Sequence, residues 1–471
     1  MENRQEQIRA IMEEQRSFYE TGKTRSLEFR ENSLKELWRA VARRKEAIEE
    51  VLFLDLGKHE MEAYETEIGL VLSDIRSAIR HLPGWMKEKK VPTPLHLFPG
   101  KSRIRKEPYG QVLIMGPFNY PFQLLMEPLI GAMAAGNCSV VKPSELAPHS
   151  MKIVKKIIEE TFQREYICCV EGGLEENQAL LNQQFDYIFF TGSVRVGRIV
   201  MEAAARHLTP VTLELGGKSP VVVERTANLT TAAKRVMWGK LLNAGQTCVA
   251  PDYVLVDETV KETFVKEIKK AISELYGEDV KKSPDFGRII NDRHYERLER
   301  ILEQDKEYVV MESGRDRTQR YIGPAVLDLG AVSSIERRKV PPASMEEELF
   351  GPLLPILSYG NLKEAIQFIR RGEAPLALYL FTRDRRAAGQ ILDHTRSGGA
   401  AVNDTISHLV GASLPFGGVG SSGMGKYHGK YSFDTFTHER SVYMKPASWG
   451  IRLGYPPYTE RKKRIIEKIL K

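Results

Sequence analysis

Apolar residues follow different spacings in different parts of the chain. In residues 1–80, positions such as Leu34, Leu37 and Trp38 recur at helical spacing between charged residues, which predicts a set of packed helices. Residues 86–106 are instead interrupted by lysines, a glycine and three prolines, which favours an extended excursion over a helix. We assign no chemistry to the helices, and the excursion fits a surface loop or an oligomer contact.

Short apolar runs alternate regularly with helical segments from residue 111 onwards. Such runs are typical of parallel strands that helices cover on both faces. The pattern predicts an α/β fold, with a doubly wound nucleotide-type sheet in 111–224 and a second α/β section in 226–405. The predicted strands are 112–115, 139–141, 166–170, 187–190, 211–215, 221–223, 253–256, 321–329, 353–358, 376–381 and 399–402. The predicted helices are 122–134, 149–163, 174–183, 196–206, 229–242, 259–276, 291–303, 361–371 and 384–394.

Composition narrows the class of protein. The 471 residues suffice for two or three domains, and a hydrophobic content of 42% with 28% charged residues is typical of soluble globular proteins. Four cysteines in this length argue against a disulfide framework and favour a reducing compartment. The polar N-terminus and the absence of any run of about 20 apolar residues predict a cytoplasmic protein with no membrane span.

The net charge of +7 is concentrated at the C-terminus. Residues 459–471 hold six Lys or Arg against two Glu, so the rest of the chain is nearly balanced and has no basic footprint for nucleic acid. Isoleucines and a leucine between the lysines predict a short amphipathic helix. This tail fits either a weak peripheral membrane contact or, more simply, a segment that is solvated or folded on a neighbouring subunit.

Polar and glycine-containing segments follow several predicted strands. Asn119 comes after the first, Lys142 and Glu145 after the second, Gly192 after the fourth, and Glu214 closes the fifth. Ligands bind open α/β sheets at the carboxyl ends of strands, so we expect these residues to converge on one rim. The backbone N–H groups after Gly192 open a helix and suit a pyrophosphate, although an ordinary strand-to-helix turn fits equally well.

A single cysteine stands apart from the others. Cys248 follows Gly-Gln-Thr and shortly precedes a proline, so few neighbouring side chains cover its thiol and a substrate carbon can reach it. Cys138, Cys168 and Cys169 fall in predicted strands and are typical core residues. The segment alone does not distinguish a catalytic Cys248 from a small core residue.

Several motifs in combination are specific. The chain resembles the aldehyde dehydrogenase superfamily, and most of all its class 3 branch, over almost its whole length. The matching motifs are Pro117-Phe118-Asn119-Tyr120-Pro121, Lys142-Pro143-Ser144-Glu145, Phe190-Thr191-Gly192-Ser193, Glu214-Leu215-Gly216-Gly217-Lys218, Gly245-Gln246-Thr247-Cys248, Glu348-Leu349-Phe350-Gly351-Pro352 and Pro415-Phe416-Gly417-Gly418.

The resemblance implies oxidation of an aldehyde to a carboxylic acid. Cys248 would attack the aldehyde carbon as a thiolate and form a thiohemiacetal. The Asn119 amide and the Cys248 backbone N–H would receive the oxyanion, and Glu214 would activate the water that hydrolyses the thioester. Tyr120, Trp238 and His408 are candidates for the surroundings of the substrate, although each is at least as typical of packing.

The same resemblance implies a nicotinamide dinucleotide and no metal. Lys142 and Glu145 match residues that hold the adenosine ribose, and Gly192 and Ser193 match the pyrophosphate turn. A carboxylate at Glu145 suits free ribose hydroxyls and repels a 2′-phosphate, so we expect NAD, with NADP as the alternative. Glu348 matches the ligand of the nicotinamide ribose, and Phe350 lines the nicotinamide side.

The resemblance also implies a domain order and a homodimer. The cofactor domain, which is Rossmann-like, would span 1–85 and 107–215, and the catalytic domain 216–410. A bridging segment for oligomerisation would comprise 86–106 and 411–445, followed by a tail over 446–471. Two alternatives stay open: an acylating, coenzyme A-dependent enzyme, which the presence of Glu214 disfavours, and a non-catalytic NAD-binding relative.

Overall fold

The computed structural model describes residues 2–448 and 453–470. The chain begins with packed helices, as the spacing of its apolar residues predicts, and Leu34, Leu37 and Val41 are fully buried. Glu67 lies in a π-helical segment, Tyr64–Ile68, that directly precedes the last of these helices, and Glu62 lies in the short helix before that segment. The helices are α1 (Glu2–Glu20), α2 (Leu27–Arg43), α3 (Lys45–Leu56), α4 (Glu60–Ala63) and α5 (Gly69–Trp85).

The excursion after α5 forms part of a small antiparallel sheet. Strand β1 (Lys89–Val91) pairs with β2 (Lys101–Pro108), and β2 pairs along its whole length with β18 (Thr437–Met444) near the other end of the chain. The segments 86–106 and 411–445, which we expect to act together as a bridge, are thus joined by backbone hydrogen bonds.

The first large sheet is doubly wound, as predicted. Its parallel strands lie in the order β7-β6-β3-β4-β5, and their residues are almost all buried because helices cover both faces. The strands are β3 (Gln111–Met115), β4 (Cys138–Lys142), β5 (Ile167–Cys169), β6 (Tyr187–Thr191) and β7 (Val211–Glu214). The helices are α6 (Gln123–Ala135), α7 (Pro148–Thr161), α8 (Leu174–Leu181) and α9 (Val194–Ala205).

The second large sheet has the parallel order β13-β14-β9-β8-β15-β16, with β10 antiparallel at the β13 edge. Its strands are β8 (Pro220–Val223), β9 (Tyr253–Asp257), β10 (Val309–Glu312), β13 (Ala325–Ala331), β14 (Leu353–Tyr359), β15 (Ala377–Phe381) and β16 (Gly399–Val402), and β11 (Arg315–Asp316) and β12 (Tyr321–Ile322) form a separate pair. Its helices are α10 (Leu229–Leu241), α11 (Lys261–Tyr276), α12 (Asp292–Gln304), α13 (Val332–Glu336), α14 (Ala343–Glu346), α15 (Leu362–Arg371) and α16 (Arg385–His394).

The structure differs from the strand prediction in several places, and the strands β11, β17 (Gly423–Met424) and β18 were not predicted. The run 221–223, which the apolar pattern groups with the first sheet, is β8 of the second, because periodicity marks a strand but not its neighbours. The run 321–329 is two strands, since Gly323-Pro324 interrupts it. The half-exposed edge strand β10 was not predicted, because its residues show no clear alternation.

The C-terminal region returns to the first sheet and then leaves it. Strand β17 (Gly423–Met424) in the glycine-rich segment pairs antiparallel with β7, which places Gly423 opposite Glu214. Helix α17 (Lys430–Thr435) precedes β18, and the tail forms the predicted helix α18 (Glu460–Ile469). None of the described side chains of α18 is buried. Across residues 2–448 and 453–470, no helix combines the length and apolarity needed to cross a bilayer.

Candidate active site

The carboxyl ends of the first sheet bring the predicted rim residues to one level. In the strand register Thr191 lies opposite Glu214, and Met115 lies opposite both Phe190 and Lys142. The segments that follow these strands therefore start side by side, as expected for a ligand-binding edge of an open α/β sheet.

Glu214 is a buried acid at this rim. It is the last residue of β7 and 1% exposed, and among the described residues neither of its carboxylate oxygens has a hydrogen-bond partner. Burial raises its pKa well above the usual range. A buried, unpartnered carboxyl is unusual in a purely structural role, and a raised pKa makes its carboxylate a stronger base than that of an exposed glutamate.

The thiol lies on an irregular loop that follows α10. Asn243, Ala244 and Gly245 all adopt positive φ angles, of 53°, 52° and 78°. A Cβ at Gly245 would overlap the carbonyl of Gly351, so glycine is required there for space as well as for conformation. The loop thereby turns sharply enough to direct Cys248 towards a cavity.

Side-chain hydrogen bonds hold this loop in place. The Gln246 amide donates to the carbonyl oxygens of Asn243 at 3.0 Å and Arg288 at 2.9 Å, and its Oε1 accepts from Ile290 N–H at 2.9 Å. Sequence reasoning assigned no role to Asn243 or Gln246. Their position beside Cys248 was the available signal, since their partners are distant in sequence.

Asn119 is hydrogen-bonded to the loop that carries Cys248. Asn119 is 2% exposed and donates from Nδ2 to the Gln246 carbonyl at 3.0 Å, two residues before the thiol. Asn243 Nδ2 in turn donates to the Asn119 carbonyl at 2.7 Å. The backbone N–H groups of Cys248 and Val249 approach the thiol sulfur. The structure thus ties the Asn119 side chain to the loop that carries the thiol, and it places backbone donors at the sulfur.

A cavity of about 130 Å³ reaches Cys248 from outside. Tyr120 and Trp238 line it, as anticipated for substrate contacts, whereas His408 packs against Tyr379 with ring centroids 5.9 Å apart and lies outside the lining. Among the described residues, Asn119 and Glu214 are not part of the lining either. More than half of the lining side chains are apolar or aromatic: Leu70, Tyr120, Leu124, Trp238, Leu242, Val249, Ile406, Leu409, Val410, Ala412, Phe416 and Tyr427. The lining also includes the acidic residues Glu65, Asp74 and Glu127.

The electrostatics of the site keep the thiol protonated. Burial, together with the charges of Glu348 and Glu214, raises the pKa of Cys248 to about 12. Burial likewise raises the pKa of Glu348 to about 8. A carboxylate that takes up a proton loses its negative charge, and this loss lowers the pKa of the nearby thiol. Proton transfer from the sulfur to a neighbouring carboxylate therefore favours the thiolate. Of the three cysteines that the sequence predicts as core residues, Cys138 and Cys168 are buried and Cys169 is half-buried.

The adenosine end of the predicted cofactor site combines a buried cation with an accessible carboxylate. Lys142 Nζ donates to the Pro143 carbonyl at 2.7 Å and lies 3.6 Å from Glu145, whose side chain is 43% exposed. Ser193 caps α9, so the N-terminus of a 12-residue helix faces the rim next to Gly192. A cation, a helix N-terminus and an accessible carboxylate fit the phosphates and ribose of a dinucleotide.

The other end of this site approaches the thiol. The Glu348 carboxylate occupies the space that a Cβ at Gly216 would fill, and it accepts from the Gly217 N–H. Phe350, at φ 47°, lies edge-to-face with Phe118 at a ring-centroid distance of 5.7 Å. Glu348 therefore lies against the segment that follows β7, and its charge raises the pKa of the Cys248 thiol.

A sequence model of the aldehyde dehydrogenase family matches residues 1–442. The chain belongs to the aldehyde dehydrogenase family. The 4,4'-diaponeurosporen-aldehyde dehydrogenase of Staphylococcus aureus is 50% identical over 450 residues, 96% of either chain. Aldehyde dehydrogenase family 3 member A2 of Mus musculus is 44% identical, covering 95% of this chain and 91% of its own. The dimeric NADP-preferring aldehyde dehydrogenase of Rattus norvegicus is 43% identical, covering 94% and 96%.

Solved structures agree with the sequence matches. The substrate-bound state of Staphylococcus aureus AldH gives a TM-score of 0.95 at 49% identity, covering 98% of this chain and 99% of that one. These findings confirm the resemblance to the family and to its class 3 branch, and they confirm the α/β fold. The protein is an aldehyde dehydrogenase that oxidises aldehydes with a nicotinamide dinucleotide.

Proposed function

We propose that this aldehyde dehydrogenase works through Cys248, Asn119 and Glu214. The observation that supports the proposal most is a thiol at a cavity wall, on a loop to which the Asn119 amide donates. The buried Glu214 carboxyl, which lacks a partner among the described residues, is close enough for its charge to raise the pKa of this thiol. The thiol proton passes to a carboxylate, and the sulfur bonds to the aldehyde carbon. The negative charge that develops on oxygen is received by the Asn119 amide and the Cys248 N–H.

The second half of the reaction releases the acid. A bound nicotinamide dinucleotide supplies the oxidising power by accepting a hydride. The carbon is then held to Cys248 as a thioester, and Glu214 takes a proton from a water molecule as that water attacks the thioester carbon. The carbon–sulfur bond breaks, the carboxylic acid leaves, and the sulfur is again free.

We propose NAD as the preferred cofactor. Lys142 and Glu145 would hold the adenosine ribose, Gly192 and Ser193 the pyrophosphate, and Glu348 and Phe350 the nicotinamide end. The Glu145 carboxylate disfavours a 2′-phosphate through charge repulsion, which favours NAD. Because the Glu145 side chain is 43% exposed, it can also turn away from a 2′-phosphate, so NADP stays the alternative. A relative that prefers NADP agrees with this alternative.

The substrate that fits the cavity is an aldehyde with an apolar chain or ring. Its walls include Trp238, Leu242 and Phe416, so burial of hydrocarbon contributes to the binding energy. The Staphylococcus aureus relative is named for 4,4'-diaponeurosporen-aldehyde, which is therefore one of the aldehydes to test.

We also propose that the protein forms a homodimer and is located in the cytoplasm. Within the described residues the outer edge of β18 has no partner strand and most of its side chains are exposed, which favours pairing with a second copy in a homodimer. The four cysteines, all in the described part of the chain, are free. Free cysteines agree with a reducing cytoplasm.

Turnover of aldehydes of increasing length with NAD tests the proposal. We expect Cys248→Ala to abolish formation of NADH, whereas Cys169→Ala, the matched change at a half-buried cysteine, retains it. Glu214→Gln should give a burst of one NADH per subunit followed by turnover reduced about 10²–10⁴-fold. Full activity of Cys248→Ser would contradict the proposal, and acyl-coenzyme A as the product would identify an acylating enzyme instead.

A further inference from the structure

A buried ion pair lies behind Asn119. The side chains of Lys58 and Glu67 are both 0% exposed and are joined by a direct Nζ–Oε1 contact. Lys58 follows the end of α3, and Glu67 lies in the π-helical segment before α5. Removing two charges from water is costly unless further hydrogen bonds compensate, so the partners of this pair indicate what it holds.

Glu67 holds the start of α6. Its second oxygen, Oε2, accepts from the backbone N–H of Phe122 at 2.9 Å and of Gln123 at 3.3 Å. These donors lie three and four residues after Asn119, at a helix N-terminus that favours a negative charge. The carboxylate therefore fixes the chain directly after Asn119.

Lys58 contacts Asn119 directly. Its Nζ donates to the Asn119 carbonyl at 3.4 Å and lies 4.2 Å from the centroid of the Tyr120 ring. The same carbonyl accepts from Asn243 on the thiol loop. The backbone of Asn119 is thus held by the ion pair on one side and by the thiol loop on the other.

We infer that Lys58 and Glu67 are positioning residues that fix the Asn119 amide beside Cys248 for the developing oxyanion. The inference rests on the role proposed above for Asn119. An oxyanion donor acts only within about 2.7–3.1 Å of the oxygen, and a displacement of about 1 Å can cost about a hundredfold in rate. The pair therefore contributes to the rate without touching the substrate.

The reaction of Cys248 with 4-nitrophenyl acetate in the absence of cofactor isolates this step. The thiolate attacks the ester carbon, the carbonyl oxygen becomes an anion, and 4-nitrophenolate leaves as the thioester forms. We expect Glu67→Gln to slow this acylation about tenfold to a hundredfold. The double variant Lys58→Met/Glu67→Met, which removes both charges and keeps the volume, should slow it similarly and keeps the test available if the single variant does not fold.

Asp55→Asn is the matched control. Asp55 is also buried, and it accepts from two N–H groups in the first turn of α7, those of His149 at 3.2 Å and Ser150 at 2.7 Å. We expect a comparable loss of thermal stability with acylation changed less than about threefold. An equal loss of acylation in this control would overturn the inference. It would mean that weakening the N-terminus of any helix slows acylation, whether or not that helix follows Asn119.

A double-mutant cycle with Asn119→Ala decides whether the effect passes through the amide. In the Asn119→Ala background, Glu67→Gln should slow acylation by less than about threefold. Losses that multiply would overturn the positioning role, as would a Glu67→Gln enzyme with unchanged acylation. If Asn119→Ala alone has no effect, the oxyanion role in the proposed function fails and the inference fails with it.

Discussion

The two walls of the active site are built differently. At the rim, Glu214 and Lys142 are the last residues of regular parallel strands, so the sheet itself determines where they lie. The thiol wall is a loop with consecutive left-handed residues, held by the individual hydrogen bonds of Asn243, Gln246 and Asn119. We infer that substitutions of residues with no proposed part in the chemistry cost more activity on the loop than at the rim.

The sharpest test of this difference is Gly245→Ala. An alanine would be strained at φ 78° and its Cβ would overlap the Gly351 carbonyl, so the loop must move and carry Cys248 with it. We expect aldehyde oxidation to fall roughly a hundredfold or more, with a lower melting temperature. Steady-state kinetics and thermal unfolding measure the two effects.

Gly22→Ala provides the control for backbone strain. Gly22 has a similar φ of 75°, and within the described chain nothing lies within 4 Å of the Cβ that alanine adds. The substitution should lower the free energy of unfolding by about 1–2 kcal/mol without changing kcat. Equal losses of activity in both variants would mean that the thiol loop is no more sensitive than a remote turn.

The two walls also differ in how far the sequence predicts them. Periodicity locates the strand ends, so the amino-acid pattern alone assigns Lys142 and Glu214 to a shared rim. The pattern also assigns Asn119 to that rim, and the local segment singles out Cys248 as an accessible thiol, but only the resemblance to a family gives these two residues catalytic roles. The contacts that position these two residues join segments that are distant in sequence, and hydrophobic periodicity does not predict such contacts.

Lys58 and Glu67 illustrate the limit most clearly. They lie in the N-terminal helical region, to which the sequence assigned no chemistry. The one available signal was that Glu67 occupies the same apolar stripe as the buried Val71 and Ile75, four and eight residues later. A charge in a buried stripe indicates a partner, but not which one.

The charge state of the thiol provides a second way to sharpen the comparison. Because burial and neighbouring carboxylates raise the pKa of Cys248 to about 12, the reactive thiolate is scarce at neutral pH. The rate of alkylation by iodoacetamide without cofactor should rise about tenfold per pH unit from pH 7 to 9, with no plateau. Mass spectrometry of the modified peptide, with Cys248→Ala as the control, measures this rate. A plateau below pH 8 would show that the loop stabilises the thiolate already in the free enzyme.

The smallest effect is expected at the accessible part of the rim. Glu145→Gln removes a carboxylate that disfavours a 2′-phosphate, but solvent screens a side chain that is 43% exposed. Two charges about 4 Å apart in water interact by about 1 kcal/mol, which corresponds to a change of about fivefold. The KM for NADP should therefore fall about fivefold, while the KM for NAD and kcat stay nearly constant.

Glu159→Gln is the matched control for this change, because it removes an exposed carboxylate from α7 away from the strand ends. If both variants lower the KM for NADP equally, the effect is one of overall charge and Glu145 has no special place at the ribose. If Glu145→Gln instead lowers kcat, this rim residue influences the thiol wall directly. The rim and the thiol loop would then be coupled. Such coupling would contradict the independence that we infer from one wall being built on strand ends and the other on a loop.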